Sequence, residues 1–175
     1  MNITFISEWL QDKVYLDDED NPSYSVTSRT TLFRGDYATV YALTAKKKKP
    51  ALRIRQSRYA PFQPARWRYV IKFLQDDLVA EVKPRSYKDG LWTATLNQRT
   101  YEVKLHDGSR GAISIYRNNE QVARCGIKRD ASYIIANNDE DPLFLIALFT
   151  VFNLDTSWQI RKIPKASSGT WYPVR

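Results

Sequence analysis

Apolar and polar residues alternate strictly through the middle of the chain. In Arg99 to His106, Tyr101, Val103 and Leu105 fall on one face while Thr100, Glu102, Lys104 and His106 fall on the other, the period-two pattern of a half-buried strand. Leu91 to Leu96 repeats it with Trp92, Ala94 and Leu96, and Trp67 to Phe73 with Trp67, Tyr69, Ile71 and Phe73. Leu78, Ala80 and Val82 carry the theme into a further strand, and Tyr24 to Arg29, Tyr37 to Thr44 and Leu52 to Arg55 read in the same way. Their aromatic and β-branched content suits a pleated surface. Asn118-Asn119, between GAISIYR and EQVARCGIK, is a two-residue hairpin turn of residues that tolerate positive φ; Asp89-Gly90 and Asp107-Gly108 are turn signals of the same kind. Gln56 to Ala65, with Pro61 and Pro64, reads as a loop, and Ile6 to Leu10 as a short helix or a strand end. The pattern predicts about ten to twelve strands.

One segment breaks the rhythm. Pro142 to Leu154 (PLFLIALFTVFNL) holds ten Leu, Phe, Ile, Val or Ala residues in thirteen, spread all round a helical wheel. A helix with no polar stripe has to be buried. Asn137 to Asp141 supplies capping side chains and negative charge at its start, and Pro142 suits the first helical position, so a helix over about 141–154 is expected. Many antiparallel strands followed by one apolar helix predict a mainly β, single-domain chain over 1–175: a closed antiparallel barrel around a buried helix, which removes sheet edges, or alternatively a β-sandwich with a packed helix. Residues 155–175, with Trp158 and Trp171, read as an added packed strand or strap.

Size and composition narrow the class. The 175 residues suit one domain with a substantial core. The apolar run is well short of the ~20 residues that span a bilayer, and the N-terminus has neither a basic nor an apolar signal region, so a soluble, cytoplasmic protein is expected. The lone cysteine, Cys125, allows no internal disulfide and no zinc cluster.

Charge changes the picture more. The net charge is +8, from 27 basic and 19 acidic residues, yet no acidic residue lies between Asp36 and Asp76 while ten basic ones do. All of the net positive charge therefore comes from one segment, and such a concentration calls for an anionic partner. Lys46, Lys47, Lys48, Lys49, Arg53, Arg55, Arg58, Arg66 and Arg68 are the candidate anion-binding residues. Tyr37, Tyr41, Tyr59, Phe62, Trp67, Tyr69 and Phe73 are interleaved with them, a composition compatible with docking at a membrane surface or with phosphate contacts plus base stacking. The plainer explanation is alternation itself, with aromatics facing the core and cations facing water, and Lys46 to Lys49 a solvated loop.

Catalytic chemistry is not signposted. The sole histidine, His106, sits on the polar side of its strand beside Asp107, and Cys125 shares a face with Ala123 and Ile127, the position of a buried structural thiol. A Cys125–His106 dyad would need the two in contact. No nucleophile elbow, phosphate loop or dinucleotide fingerprint occurs. Asp17 to Asp20 lacks the glycine and distal glutamate of a calcium loop and reads as a hydrated turn. No catalytic residue, metal site or cofactor is expected.

Asp141, the helix Leu143 to Phe152 and the closing Leu154-Asp155 resemble the hydrophobic helix, ended by an acidic residue, of the tubby C-terminal-like superfamily, which includes the tubby proteins, the phospholipid scramblases and the LURP-one-related proteins. The resemblance covers the order of elements over most of the chain and a motif of about fifteen residues; the chain departs from it in the residues that follow the helix. It implies a barrel around a central helix, and it raises phosphoinositide binding for Arg53, Arg55 and the lysine run. The expected function is a non-enzymatic binding domain whose basic face meets an anionic ligand or membrane surface, including lipid phosphate headgroups, the protein being cytoplasmic or peripheral to a membrane. Nucleic-acid binding through the same surface, or an interaction scaffold with no small ligand, are the alternatives.

Overall fold

The structure, a computed structural model, describes residues 2–7, 12–17, 19, 21–31, 35–44, 47–58, 67–86, 88–106, 112–128 and 131–154. Among these are twelve strands and one helix: β1 (Asn2–Ser7), β2 (Asp12–Leu16), β3 (Pro22–Thr31), β4 (Gly35–Thr44), β5 (Lys47–Arg58), β6 (Arg68–Phe73), β7 (Val79–Ser86), β8 (Leu91–Leu96), β9 (Arg99–Leu105), β10 (Ile113–Arg117), β11 (Glu120–Lys128), β12 (Ala131–Ala136) and α1 (Pro142–Leu154). The expected extension over 155–175, with Trp158, Trp171 and Asp155, lies outside the described residues, as do 59–66 and the Asp107-Gly108 pair; of the loop expected over Gln56 to Ala65, Gln56 to Arg58 are instead the end of β5.

All twelve strands belong to one antiparallel sheet, not the two of a sandwich. Each pairs with the strands next to it in the chain, and β1 pairs with β12 as well as with β2, so the order of pairing returns to its start. The hairpins follow from local chemistry. Asn118 and Asn119 have φ of 53° and 67°, as a primed two-residue turn requires, and Asn97 and Gln98 make a second such turn at 47° and 64°. At Gly90 φ is 66°, a conformation that glycine adopts without a Cβ penalty.

Alternation sorts the strand residues as expected. Tyr69, Ile71 and Phe73 of β6, Ala80 and Val82 of β7, Trp92 and Ala94 of β8, and Tyr101, Val103 and Leu105 of β9 are all buried in one apolar cluster. The helix completes that cluster. Nine consecutive residues, Phe144 to Phe152, are each no more than 4% exposed, so no side of this stretch faces solvent. A helix lying on an open sheet would expose a residue at every turn.

Aromatic pairs tie helix to sheet. Phe152 meets Trp92 edge to face with centroids 5.3 Å apart, and Phe144 lies 5.1 Å from Tyr101. Such pairs add about 0.5–1.5 kcal/mol each beyond the area they bury. Among its described side chains the helix carries one buried polar residue, Thr150, whose hydroxyl donates to the Ile146 carbonyl at 2.7 Å and is also engaged by the hydroxyl of Tyr15 on β2. Burial holds the Tyr15 phenol above its ordinary pKa, so this contact stays neutral.

Candidate anion-binding face

Strand β5 carries most of the described cations of the basic segment. Lys47, Lys48 and Lys49 are not a loop but its first residues, paired with Thr44, Leu43 and Ala42 of β4, and all three are exposed. Further along, exposed Arg53 and Arg55 alternate with buried Leu52, Ile54 and Gln56, so both arginines stand on the outer face. Arg53 lies between Thr39 of β4 and Lys72 of β6; Arg55 lies between Tyr37 and Val70. The register shift opposite Val40 and Tyr41 leaves Ala51 as an extra residue, so Lys48 shares the outer side with Arg53 and Arg55 while Lys47 and Lys49 stand exposed on the other side, at the start of the strand. The cations span about 25–30 Å from Lys47 to Arg55 at the rise of a strand.

Lys72 is one of the ten basic residues of the segment, and register makes it the neighbour of Arg53. Its ammonium is 3.3 Å from Asp77, both groups well exposed. Lys48 Nζ lies 4.4 Å from the centre of the Tyr41 ring, a cation–π contact that holds one lysine against the sheet. Arg68 departs from the expectation. It is half-buried, and its Nη1 donates to the Trp67 carbonyl at 2.7 Å, which turns the guanidinium back onto the chain. Arg58 closes β5, paired with Arg68, but its side chain lies outside the description. Lys46 and Arg66 lie outside the described residues altogether.

Some cations further round the sheet are paired with carboxylates. Lys83 lies 3.4 Å from Glu81, and Arg85 reaches Glu102 at 2.6 Å. Among the described residues, no carboxylate pairs with Lys47, Lys49, Arg53 or Arg55. The aromatics of the segment do not share this surface equally. Tyr69 and Phe73 are buried inside, with Tyr69 accepting a 3.5 Å contact from Gln56 Nε2, while Tyr41 and Trp67 are half-buried. Alternation thus accounts for much of the aromatic–basic interleaving, and the Tyr69 and Phe73 rings are not available for stacking. Tyr59 and Phe62 lie outside the described residues.

A second charged constellation, which sequence reading did not single out, lies where the chain enters α1. Glu140 is 4% exposed, with Arg117 Nη1 at 2.9 Å from its Oε1 and the Tyr101 hydroxyl donating to its Oε2 at 3.1 Å. Arg117 Nη2 also donates to Asp139 Oδ2 at 2.6 Å. The guanidinium holds the Asp139 carboxyl below the usual range, and the two carboxylates raise the Arg117 pKa. Asp141 then caps the helix, its Oδ1 accepting the Leu143 N–H at 2.9 Å. Desolvation nevertheless raises the Asp141 pKa. The sequence reads Asn137 to Asp141 as capping residues and negative charge for the helix start; nothing in it signals that Arg117 reaches Glu140.

His106 and Cys125 do not form a dyad. His106, half-buried just past β9, has Nε2 2.7 Å from the hydroxyl of buried Ser114, so it is not the solvated strand-end residue expected. Cys125 pairs in register with Ile113 and is fully buried, and alternation places Ser114 on the opposite face of the sheet. Burial pushes the Cys125 thiol far above its ordinary pKa, which removes the thiolate needed for nucleophilic chemistry. Among the described residues there is no helix long and apolar enough to cross a membrane, and no group of three metal-ligating side chains.

No family model matches the chain, and no curated relative matches it. Among solved structures it is similar to a protein from Arabidopsis thaliana, AT5G01750, with a TM-score of 0.57 and 19% sequence identity, the likeness covering 89% of this chain and 91% of that one. At that identity the likeness is one of fold, extending over nearly the full length of both chains.

Proposed function

We propose that the chain is a non-enzymatic, tubby-like binding domain: a closed barrel plugged by α1 that uses the exposed cations of β5 to meet an anionic membrane surface. It acts as a cytoplasmic protein peripheral to the membrane. The observation that carries this reading is the concentration of exposed cations on one strand: Lys47, Lys49, Arg53 and Arg55 have no carboxylate partner among the described residues, whereas Lys83 and Arg85 on β7 are paired. The barrel part is supported by the pairing of β1 with β12 and by a helix buried on all sides.

The form of the stripe favours a surface over a small enclosed ligand. Its side chains are open to water and lie along a line rather than round a pocket, so they act through the sum of their charges. Each basic residue near an anionic bilayer contributes about 1 kcal/mol, and the attraction decays within a Debye length of ~8 Å at physiological salt. Nucleic-acid binding would add base stacking, and the inward Tyr69 and Phe73 leave few described aromatics for it.

Co-sedimentation with vesicles containing anionic lipid, at low and at moderate salt, tests the proposal. Wild type is expected to pellet with anionic vesicles at low salt and to be released as salt rises, and a Lys47→Ala, Lys48→Ala, Lys49→Ala variant to pellet much less. Equal and negligible pelleting of both proteins would overturn it, and salt-dependent affinity for oligonucleotides without vesicle binding would replace it with the nucleic-acid reading.

A further inference from the structure

On the far side of the sheet from residue 53, the outer faces of β9 and β10 form an open groove of 380 Å³ lined by Thr100, Glu102, Lys104, Tyr116, Asn118 and Asn119. Its floor is the polar side of β9, where alternation sends Thr100, Glu102 and Lys104 outward. Tyr116 stands directly across from Glu102 on β10, and the turn that follows supplies the two asparagines. We infer that this groove is a carbohydrate-binding site, with preference for a sugar that bears a carboxylate, such as a uronic acid.

The chemistry of the lining selects that class. Asn118, Asn119, Thr100 and the Tyr116 hydroxyl each both donate and accept hydrogen bonds, which matches sugar hydroxyls that do the same. A site for phosphate or a polyanion would be built from donors alone, whereas most of this lining both donates and accepts. A lipid or apolar ligand would want a lining of hydrocarbon. Here the only large apolar surface is the Tyr116 ring, an amphipathic side chain suited to the C–H face of a pyranose above and a hydroxyl at its edge.

Two features hold the site in shape. Glu102 Oε2 is 2.6 Å from Arg85, which fixes the carboxylate and leaves its other oxygen to accept. Asn118 and Asn119 are set by the left-handed turn, with φ of 53° and 67°, so their carboxamides start from a stiff backbone. Lys104 is exposed and has no carboxylate partner among the described residues, and this charge is what favours the acidic sugar. In so open a groove the ligand keeps much of its hydration, so the binding is weak and direct.

The test is chemical-shift mapping of isotope-labelled protein with glucuronate, with cellobiose as a neutral sugar and acetate as a carboxylate without hydroxyls. Saturable shifts at Thr100, Lys104 and the side-chain amides of Asn118 and Asn119 are expected with both sugars, tighter with glucuronate. Tyr116→Ala and Asn119→Gly should each weaken glucuronate about tenfold, the value for losing one or two hydrogen bonds or the ring. Glycine keeps the positive φ at position 119, so that variant removes the carboxamide without straining the turn. The inference falls if neither sugar shifts these residues, if acetate shifts them as strongly as glucuronate, or if the glucuronate shifts map to β5 and vanish in the Lys47–Lys49 alanine variant. Vesicle binding by β5 is independent of each of these outcomes.

Discussion

The stripe on β5 and the cluster at the start of α1 are made from the same kinds of residue and do opposite work. On β5, Arg53 and Arg55 extend into water with no described carboxylate against them; at the helix entry, one guanidinium, Arg117, gathers two consecutive carboxylates, one of them buried. Exposure decides what each can do. Charges in water interact weakly with each other and remain available to a partner. A buried carboxylate has lost its hydration and depends on the groups that replace it. The first arrangement leaves charge available to a partner; the second uses charge to fix where the helix begins.

The largest effect is expected from removing Arg117. Arg117→Ala leaves the Glu140 carboxylate buried without its counter-charge, and the chain should lose more stability than with any single change of an exposed β5 cation. Tyr101→Phe deletes only the hydroxyl that donates to Glu140 and should cost about 1.5–3 kcal/mol, the usual value for a hydrogen bond to a charged group. Chemical denaturation of the two variants measures both. If Arg117→Ala unfolds at the same denaturant concentration as wild type, the helix entry is only another surface ion pair and the contrast with β5 disappears.

Protons offer a gentler way to open the same cluster. Arg117 lowers the Asp139 pKa, so the stabilisation from this pair is full above the unfolded carboxyl value of about 4 and is lost as pH falls through the lower folded value. Asp141 works in the other direction, because desolvation raises its pKa and its protonation on acidification is favoured in the fold. An Asp139→Asn variant should therefore lose less stability than wild type between pH 5 and pH 3, a range spanning that carboxyl value. Thermal melts at a series of pH values check this, and parallel profiles for the two proteins would assign the acid sensitivity to other groups.

What could be read in advance divides along the same line. Period-two alternation and paired turn residues located β6 to β11 to within a few residues, since both signals are local. The burial of α1 was equally legible, because ten apolar residues in thirteen leave no side for water. β1 and β12 were missed or blurred: each is short, and their pairing joins residues more than a hundred positions apart. Lys47 to Lys49 looked like a loop because strand propensity disfavours lysine, yet pairing with β4 holds them extended. The basic face was visible as charge along the chain, whereas Lys72 beside Arg53 and Arg117 against Glu140 are products of register and of folding back, which no local pattern encodes.

On the strand itself, the Lys47–Lys49 alanine variant should change stability by no more than ~0.5 kcal/mol per residue, as surface substitutions usually do, while its vesicle binding drops. The smallest and most telling change is Arg53→Thr. Arg53 and Lys72 are like charges directly opposite one another on neighbouring strands, an arrangement that costs a few tenths of a kcal/mol, and threonine suits an exposed strand position better than that repulsion does. Arg53→Thr should therefore be neutral or slightly stabilising in denaturation, and at the same time weaken binding to anionic vesicles. Opposite signs for folding and binding are the signature of a residue kept for a partner rather than for the fold. If Arg53→Thr instead destabilises the protein and leaves vesicle binding unchanged, the arginine belongs to the sheet, and the stripe is the solvated face of an ordinary strand.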